Sequence, residues 1–188
     1  HDLWDFDIAS PPILHDLRIK NKVFEVVISL TKTGNTLILD RKTGKPIFDI
    51  EYKKAPSSNL TGDFAHPFQI FLNTPERFSK IEYSHKDYDE LPKNKIREIE
   101  KNLRDAIFGW FETPSFDYDL ITFGLHGGAQ WMGASLDPYN QFLYIPVNSV
   151  PWKLRPYAQS REIKTFFNDE LKESYKLYLN KCSACHGK

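Results

Sequence analysis

The chain carries one short motif twice: an apolar run ending in aspartate, a polar turn, and a second apolar run. The first copy is Ile38-Leu39-Asp40, the loop Arg41-Lys42-Thr43-Gly44-Lys45, then Pro46-Ile47-Phe48. The second is Ala134-Ser135-Leu136-Asp137, the turn Pro138-Tyr139-Asn140-Gln141, then Phe142-Leu143-Tyr144-Ile145. Such units read as antiparallel strands joined by tight turns. Repeated strand–turn–strand units with aromatics point to a β-propeller, although a β-sandwich would look similar.

The flanking segments extend this pattern. Val23, Glu25, Val26, Val27, Ile28 and Leu30 form a β-branched run, Thr36–Asp40 a second strand, and Pro46–Ile50 a third after the Gly44 loop. Residues 51–90 are rich in Pro, Ser, Asn and charge, and the wider stretch 51–112 reads as a surface excursion. Within it, Pro92 followed by Ile96, Ile99, Leu103 and Ile107 predicts a helix over about 93–108, with a charged, solvated outer face. Pro114-Ser115 and the glycines at 124, 127 and 128 are turn punctuation ahead of the second copy. Trp4, Trp110 and Trp152 are expected to pack between blades. His15, His66 and His85 read as polar surface, and His126 as a candidate pocket residue.

Charge narrows the function. Among 188 residues, 25 Lys+Arg balance 25 Asp+Glu, which argues against a nucleic-acid binder relying on bulk positive charge. Mean hydropathy is −0.50, and no apolar run reaches the roughly 18–20 residues of a membrane helix. The chain opens with His1 and its single methionine is Met132, so it is expected to be an internal piece of a longer protein.

The two cysteines stand in Cys182-Ser183-Ala184-Cys185-His186. Two thiols one helical turn apart, followed by a histidine, are what covalent c-type haem attachment requires, His186 then being the iron ligand. A redox pair and half of a zinc site are the alternatives. Upstream, Asn168 reads as an N-cap with Asp169 and Glu170 in the first turn. Phe167, Leu171, Tyr175 and Tyr178 then recur at helical spacing, as at the start of a cytochrome c domain. The expected division is a propeller part at 1–155, then a linker and the start of a cytochrome c domain at 156–188. Haem attachment of this kind implies a periplasmic location, with any membrane association made by a segment outside the chain.

At the other end, His1-Asp2-Leu3-Trp4-Asp5-Phe6-Asp7 packs three carboxylates and a Trp into seven residues. As a strand, it would place Asp5 and Asp7 on one side, within reach of one metal or substrate.

This segment, with Thr31-Lys32-Thr33-Gly34, Leu37 to Pro46, Thr113-Pro114-Ser115, Gly127-Gly128-Ala129-Gln130-Trp131-Met132-Gly133-Ala134 and Asp137-Pro138, resembles the pyrroloquinoline-quinone-dependent dehydrogenases, most closely their glucose-dehydrogenase-like branch. The resemblance covers about residues 1–152. It implies a mainly β fold: part of an eight-bladed propeller of four-stranded antiparallel blades, here with a helical insertion and a C-terminal helix. It also implies pyrroloquinoline quinone and Ca²⁺ as cofactors. Asp5 matches the catalytic base, and Lys32 a cation placed against the quinone. Gln130-Trp131 stands where many members have Asn-Trp against the cofactor. Asp7 matches a position that in some alcohol-oxidising relatives gives an extra ligand to a lanthanide ion.

Alcohol oxidation needs a carboxylate to take the hydroxyl proton and an electrophilic acceptor for hydride. The resulting expectation is a quinohaemoprotein dehydrogenase oxidising a sugar or alcohol. Its electrons would pass through haem c, on Cys182 and Cys185, to a downstream cytochrome or quinone. The rivals are a non-catalytic propeller scaffold and a pure electron-transfer cytochrome. A piece cut from a closed propeller would expose unpaired strand edges and is expected to aggregate or be marginally stable.

Overall fold

The structure is a computed structural model that describes residues 2–157 and 169–183. The chain divides into two compact units, 1–156 and 157–188.

The first unit is mainly β. Its best-built part is a three-stranded antiparallel sheet of β1 (Ile13–Ile19), β2 (Lys22–Leu30) and β3 (Thr36–Asp40), with β2 central. Inward positions alternate along β2, burying Val26, Ile28 and Leu30 at 0%, 4% and 1% exposure. Each contributes about 1.5–3 kcal/mol relative to staying in water. Ile13 and Leu17 of β1 pack on the same core, as does Ile38 of β3. β1 escaped the sequence reading because His15 interrupts its inward stripe of Ile13, Leu17 and Ile19.

The short strands are β4 (Glu51–Lys54), β5 (Phe68–Phe71), β6 (Ala106–Ile107), β7 (Asp119–Thr122), β8 (Gly128–Ala129), β9 (Ser135–Asp137), β10 (Phe142–Tyr144), β11 (Val147–Asn148) and β12 (Trp152–Leu154). They pair as β4–β5, β9–β10, β8–β11 and β12–β7–β6. The fold is mainly β, as expected of a propeller part. Among the described residues, however, no sheet has the four strands expected of a blade, and β6–β7 is parallel. Pro46–Ile50 is not a strand: only Pro46 bridges, to Leu39. A proline nitrogen cannot donate to a ladder, which limits extension here.

The stretch 51–112 is more than a surface excursion. It holds the β4–β5 hairpin and buries Ala55, Leu72, Ile81, Tyr83, Tyr88, Trp110 and Phe111. Helix α1 spans Lys93–Asn102, with the Pro92 carbonyl accepting from the Lys95 and Ile96 amides. It ends six residues before the expected limit of 108. The competing partner is β7, whose Asp119 and Leu120 pair with Ala106 and Ile107 and draw them out of helical conformation. Ile96, Ile99 and Leu103 keep the expected inward face, against Tyr83, Tyr88, Ile121 and Phe123.

In the second unit, α2 spans Asp169–Lys181, and the Tyr175 and Tyr178 rings stack at 6.4 Å. The Cys182 amide donates to the Tyr178 carbonyl at 2.8 Å, continuing the helical ladder onto the first cysteine. Phe167, Asn168, Cys185 and His186 lie outside the described residues. No described helix is long and apolar enough to cross a membrane.

Candidate active site

Residues 31–36 turn tightly at the end of β2. The Thr31 amide donates to the Asn35 carbonyl at 3.1 Å and the Gly34 amide to the Thr31 carbonyl at 3.0 Å. Thr31, Thr33 and Asn35 satisfy one another: Thr31 Oγ1 lies 2.7 Å from Thr33 Oγ1, and the Asn35 amide donates to Thr31 Oγ1 at 2.9 Å. All three are buried, so this polar knot is stable only because its groups are paired. Arg77 Nε reaches Asn35 Oδ1 at 3.3 Å while its guanidinium lies over the Trp110 ring at 4.9 Å.

Lys32 is carried on this turn with its side chain only 8% exposed. A buried ammonium needs partners, and the N-terminal segment supplies both. Lys32 Nζ lies 2.7 Å from Asp7 Oδ1 and 3.0 Å from Asp5 Oδ2. Burial works to push the Lys32 ammonium down, but its bonds to Asp7 and Asp5 outweigh that and hold it above its ordinary value. The hydrogen bond from Lys32 holds the Asp7 carboxyl below the usual range.

The two carboxylates converge, though not by strand alternation. The segment forms no strand, and Asp5 sits at φ +59°, the left-handed region. A kink, not a pleat, turns Asp5 and Asp7 onto one cation. Neighbours hold the kink: Trp4 Nε1 donates to the Glu112 carbonyl at 2.8 Å, and Trp4 and Phe6 meet Phe111 edge-on at 4.9 and 5.2 Å. Close approach requires glycine at two places. A Cβ on Gly124 would stand 2.1 Å from the Trp4 carbonyl oxygen, and one on Gly128 2.2 Å from the Lys32 carbonyl oxygen. Gly128 also has φ +61°.

Two cavities flank the carboxylates. One, of about 410 Å³, is lined by Asp2, Asp7, Trp4, Phe6, Phe111, the Thr31–Asn35 turn and the β4–β5 hairpin. The other, of about 440 Å³, is lined by Asp2, Asp5, Asp7, Trp4, Thr122 and Leu125. Asp7 therefore lies between the two. Asp5 and Asp7 are about half exposed, at 48% and 54%.

Other expected residues are placed differently. Gln130 folds back, its amide donating to the Gly127 carbonyl at 3.0 Å, and Trp131 is 74% exposed. Neither lines these cavities. His126 does not line them either; its ring meets Trp152 at 4.8 Å. Trp4 and Trp110 are buried in one aromatic cluster. Cys182 is an exposed free thiol. Among the described residues no group of three or more His, Cys, Asp or Glu could hold a metal ion. His66 and Gln69 at the cavity were missed because they lie in the stretch without periodicity.

The family described as "PQQ: Glucose/ethanol/alcohol dehydrogenase, beta-propeller domain" matches residues 1–181. The chain is 32% identical over 160 residues to the glycerol dehydrogenase large subunit of Gluconobacter thailandicus, covering 80% of this chain and 21% of that protein. It is 31% identical over 144 residues to the quinoprotein glucose dehydrogenase of Escherichia coli (strain K12), covering 73% and 17%. To the quinate/shikimate dehydrogenase (quinone) of Acinetobacter baylyi it is 24% identical over 160 residues, covering 77% and 18%. The chain thus spans about a fifth of the length of these relatives. No solved structure gives a significant match. With the family matched across nearly the whole chain, the chain belongs to the PQQ-type glucose/ethanol/alcohol dehydrogenase β-propeller family.

Proposed function

We propose that the chain contributes the proton-abstracting half of an alcohol-oxidising site in a quinohaemoprotein dehydrogenase acting on a sugar or other alcohol. The observation that carries this reading is the buried Lys32 ammonium, held by Asp5 and Asp7 between two cavities. The residues fit the quinone that the family implies. Lys32, beside the cavities and held by Asp5 and Asp7 without lining either, gives a buried cation; Trp4, Phe6 and Phe111 give flat apolar walls, and Gly124 and Gly128 keep the backbone cradle tight. Lys32 would hold the cofactor's oxygen edge; Gln130 and the exposed Trp131 indole, which line neither cavity here, would have to turn towards the cofactor to contact it. Bound pyrroloquinoline quinone, with Ca²⁺ as Lewis acid, supplies the acceptor for the hydride leaving the alcohol carbon.

The remaining work belongs to this chain. Asp5, half exposed at a cavity wall, accepts the hydroxyl proton on its carboxylate as a general base. Lys32 keeps that carboxylate oriented. Asp7 shares the ammonium, so the Lys32 charge is not spent on Asp5 alone. In this reading a larger metal ion, if one is held, draws on Asp7.

Cys182 and Cys185 would hold haem c with His186 as its iron ligand, and the haem would supply a one-electron outlet towards a downstream cytochrome or quinone in the periplasm. The exposed Cys182 thiol at the end of an aromatic helix supports this part. A Lys32→Ala variant of the complete protein tests the reading by titration with pyrroloquinoline quinone in Ca²⁺. We expect wild type to bind and the variant to bind at least about tenfold more weakly, the loss of one charge-assisted hydrogen bond. Equal affinity would overturn the role of Lys32.

A further inference from the structure

The Thr31–Asn35 turn that carries Lys32 is gripped by residues 77 and 78, which lie in the stretch without sequence periodicity. The Phe78 amide donates to the Gly34 carbonyl at 3.0 Å, and Arg77 Nε donates to Asn35 Oδ1 at 3.3 Å. A guanidinium has donors and no acceptor, so this bond decides which end of the Asn35 amide faces it. Asn35 Nδ2 is thereby turned to Thr33, where it donates to Oγ1 at 3.0 Å, one residue from Lys32. Asn35 is 3% exposed, and its Oδ1 would lose hydration without replacement if Arg77 were removed.

The guanidinium also rests on the aromatic cluster that holds the Asp5 kink. It lies 4.9 Å from the Trp110 ring and 5.2 Å from the Phe71 ring. Trp110 meets Phe111 at 4.8 Å, Phe111 meets Trp4 at 4.9 Å, and Trp4 directly precedes Asp5. Among the described residues Arg77 Nη2 has no hydrogen-bond partner. Asn35 and the ring faces therefore hold the group, and a cation on aromatic faces gains most where water is excluded. Lys53 Nζ lies over the same two rings, at 4.7 and 5.6 Å. Among the described residues, however, Lys53 makes no hydrogen bond to the Lys32 turn, whereas Arg77 touches both the rings and the turn.

We infer that Arg77 is a positioning residue that sets the approach of Lys32 to Asp5: through Asn35 it grips the turn bearing the ammonium, and through Trp110 it grips the cluster that fixes the carboxylate. No strand pairing joins the two partners, because Asp5 lies in a segment without strand structure and Lys32 in a turn beyond the end of β2. Their 3.0 Å separation therefore depends on side-chain ties, and a misplacement of about 1 Å is enough to slow a reaction that needs aligned groups. The effect on rate rests on the alcohol-oxidising reading above; the tie between turn and cluster does not.

The experiment uses the complete protein. Without quinone, the rate at which acetic anhydride acetylates Lys32, followed by peptide mass spectrometry, reports how firmly Asp5 and Asp7 hold its ammonium, since only the neutral, released amine reacts. Arg77→Met should raise that rate at least about tenfold, as for one lost hydrogen bond from a charged group, with the exposed Lys95 changed less than about twofold. Asn35→Ala should raise it similarly, and the double variant no further than the larger single one, because the two residues act in series. Lys53→Met, which takes a cation from the same rings, and Leu103→Ala, which loosens the packing of α1, should leave Lys32 within about twofold. If Arg77→Met does not fold, Arg77→Lys, which keeps the charge and loses the planar fork, should still raise the rate severalfold. After loading with pyrroloquinoline quinone and Ca²⁺, the Arg77 variant should show kcat for dye-linked alcohol oxidation lowered about tenfold and KM for the alcohol changed less than about twofold. Acetylation of Lys32 at the wild-type rate in the Arg77 variant, or as fast in Lys53→Met or Leu103→Ala, overturns the inference. Fast acetylation in the Arg77 variant, with no alcohol oxidised by the loaded wild type, supports the tie and overturns the function.

Discussion

The two copies of the aspartate-turn motif are nearly identical locally and pack on one core, but they differ in how far their strands are covered. In the first, Asp40 Oδ1 accepts the amides of Lys42 and Thr43 at 3.1 and 2.8 Å, and the Thr43 hydroxyl at 2.8 Å. In the second, Asp137 Oδ1 accepts the amides of Tyr139 and Asn140 at 2.9 and 3.2 Å, and Oδ2 the Asn140 side chain at 2.8 Å. The fourth residue after each aspartate is left-handed, Gly44 at φ +70° and Gln141 at φ +59°. Yet the first turn belongs to a three-stranded sheet over a closed core, while the second joins a two-stranded ribbon whose Phe142 and Tyr144 are 59% and 60% exposed. Side-chain capping of a turn is a short-range property, whereas the burial of a strand depends on partners supplied elsewhere in the chain.

One large effect should come from crowding that turn chemistry alone does not reveal. Gly44 and Gly128 are both left-handed, but a Cβ at Gly44 meets nothing within 4 Å while one at Gly128 strikes the Lys32 carbonyl. Gly44→Ala is expected to cost about 1 kcal/mol, and Gly128→Ala on the order of 3 kcal/mol, with weakened quinone binding as Lys32 shifts. Denaturant midpoints and quinone titrations of the complete protein check both; equal costs would mean that the backbone contact at Lys32 is not tight.

The next contrast is between a buried and an exposed side chain, since Leu143 of the second copy packs on the same core as Leu30. Leu30→Ala should destabilise by about 2–5 kcal/mol, whereas Phe142→Ala should stay within about 0.5 kcal/mol. A Phe142→Ala cost approaching that of Leu30→Ala would break the contrast and show that residues beyond this chain cover the second copy.

The smallest effects test what the copies share. Asp40→Ala and Asp137→Ala should each lower the denaturant midpoint by a similar small amount, less than Leu30→Ala, as for a lost side-chain cap at an exposed turn. Both carboxyls are held below their ordinary value by these hydrogen bonds: the Thr43 side chain first for Asp40, the Asn140 side chain first for Asp137. A depressed carboxyl stabilises the fold above its unfolded value and loses that contribution as pH falls through its folded value. Hydrogen-exchange protection of the Thr43 and Asn140 amides should therefore hold at neutral pH and fade together below the ordinary aspartate range. Fading of one alone would separate the two turns.

The same division explains what the sequence made readable. Both aspartate turns, β2, β3, β9 and β10, and the inward face of α1 follow from short-range pattern. The end of α1 does not, because β7 takes Ala106 and Ile107 from a segment a dozen residues away. Asp5, Asp7 and Lys32 could be named from matched motifs, but their meeting needs a left-handed Asp5 and two glycine contacts from residues 124 and 128. Nothing local in Trp4-Asp5-Phe6-Asp7 announces that kink. His66 and Gln69 carried no periodic signal, and only the folded hairpin brings them to the cavity.

The central claim is that the Asp5–Lys32 pair is the working centre of a quinone-dependent alcohol oxidation feeding haem. The most direct test follows the haem spectrum of the complete protein, loaded with pyrroloquinoline quinone and Ca²⁺, after addition of sugars and alcohols, with Asp5→Asn alongside. The account predicts rapid, quinone-dependent haem reduction in wild type and a rate lower by about 10²–10⁴-fold in the variant, at unchanged quinone loading. Reduction at the wild-type rate in Asp5→Asn, or none by any substrate in a fully loaded wild type, would contradict it.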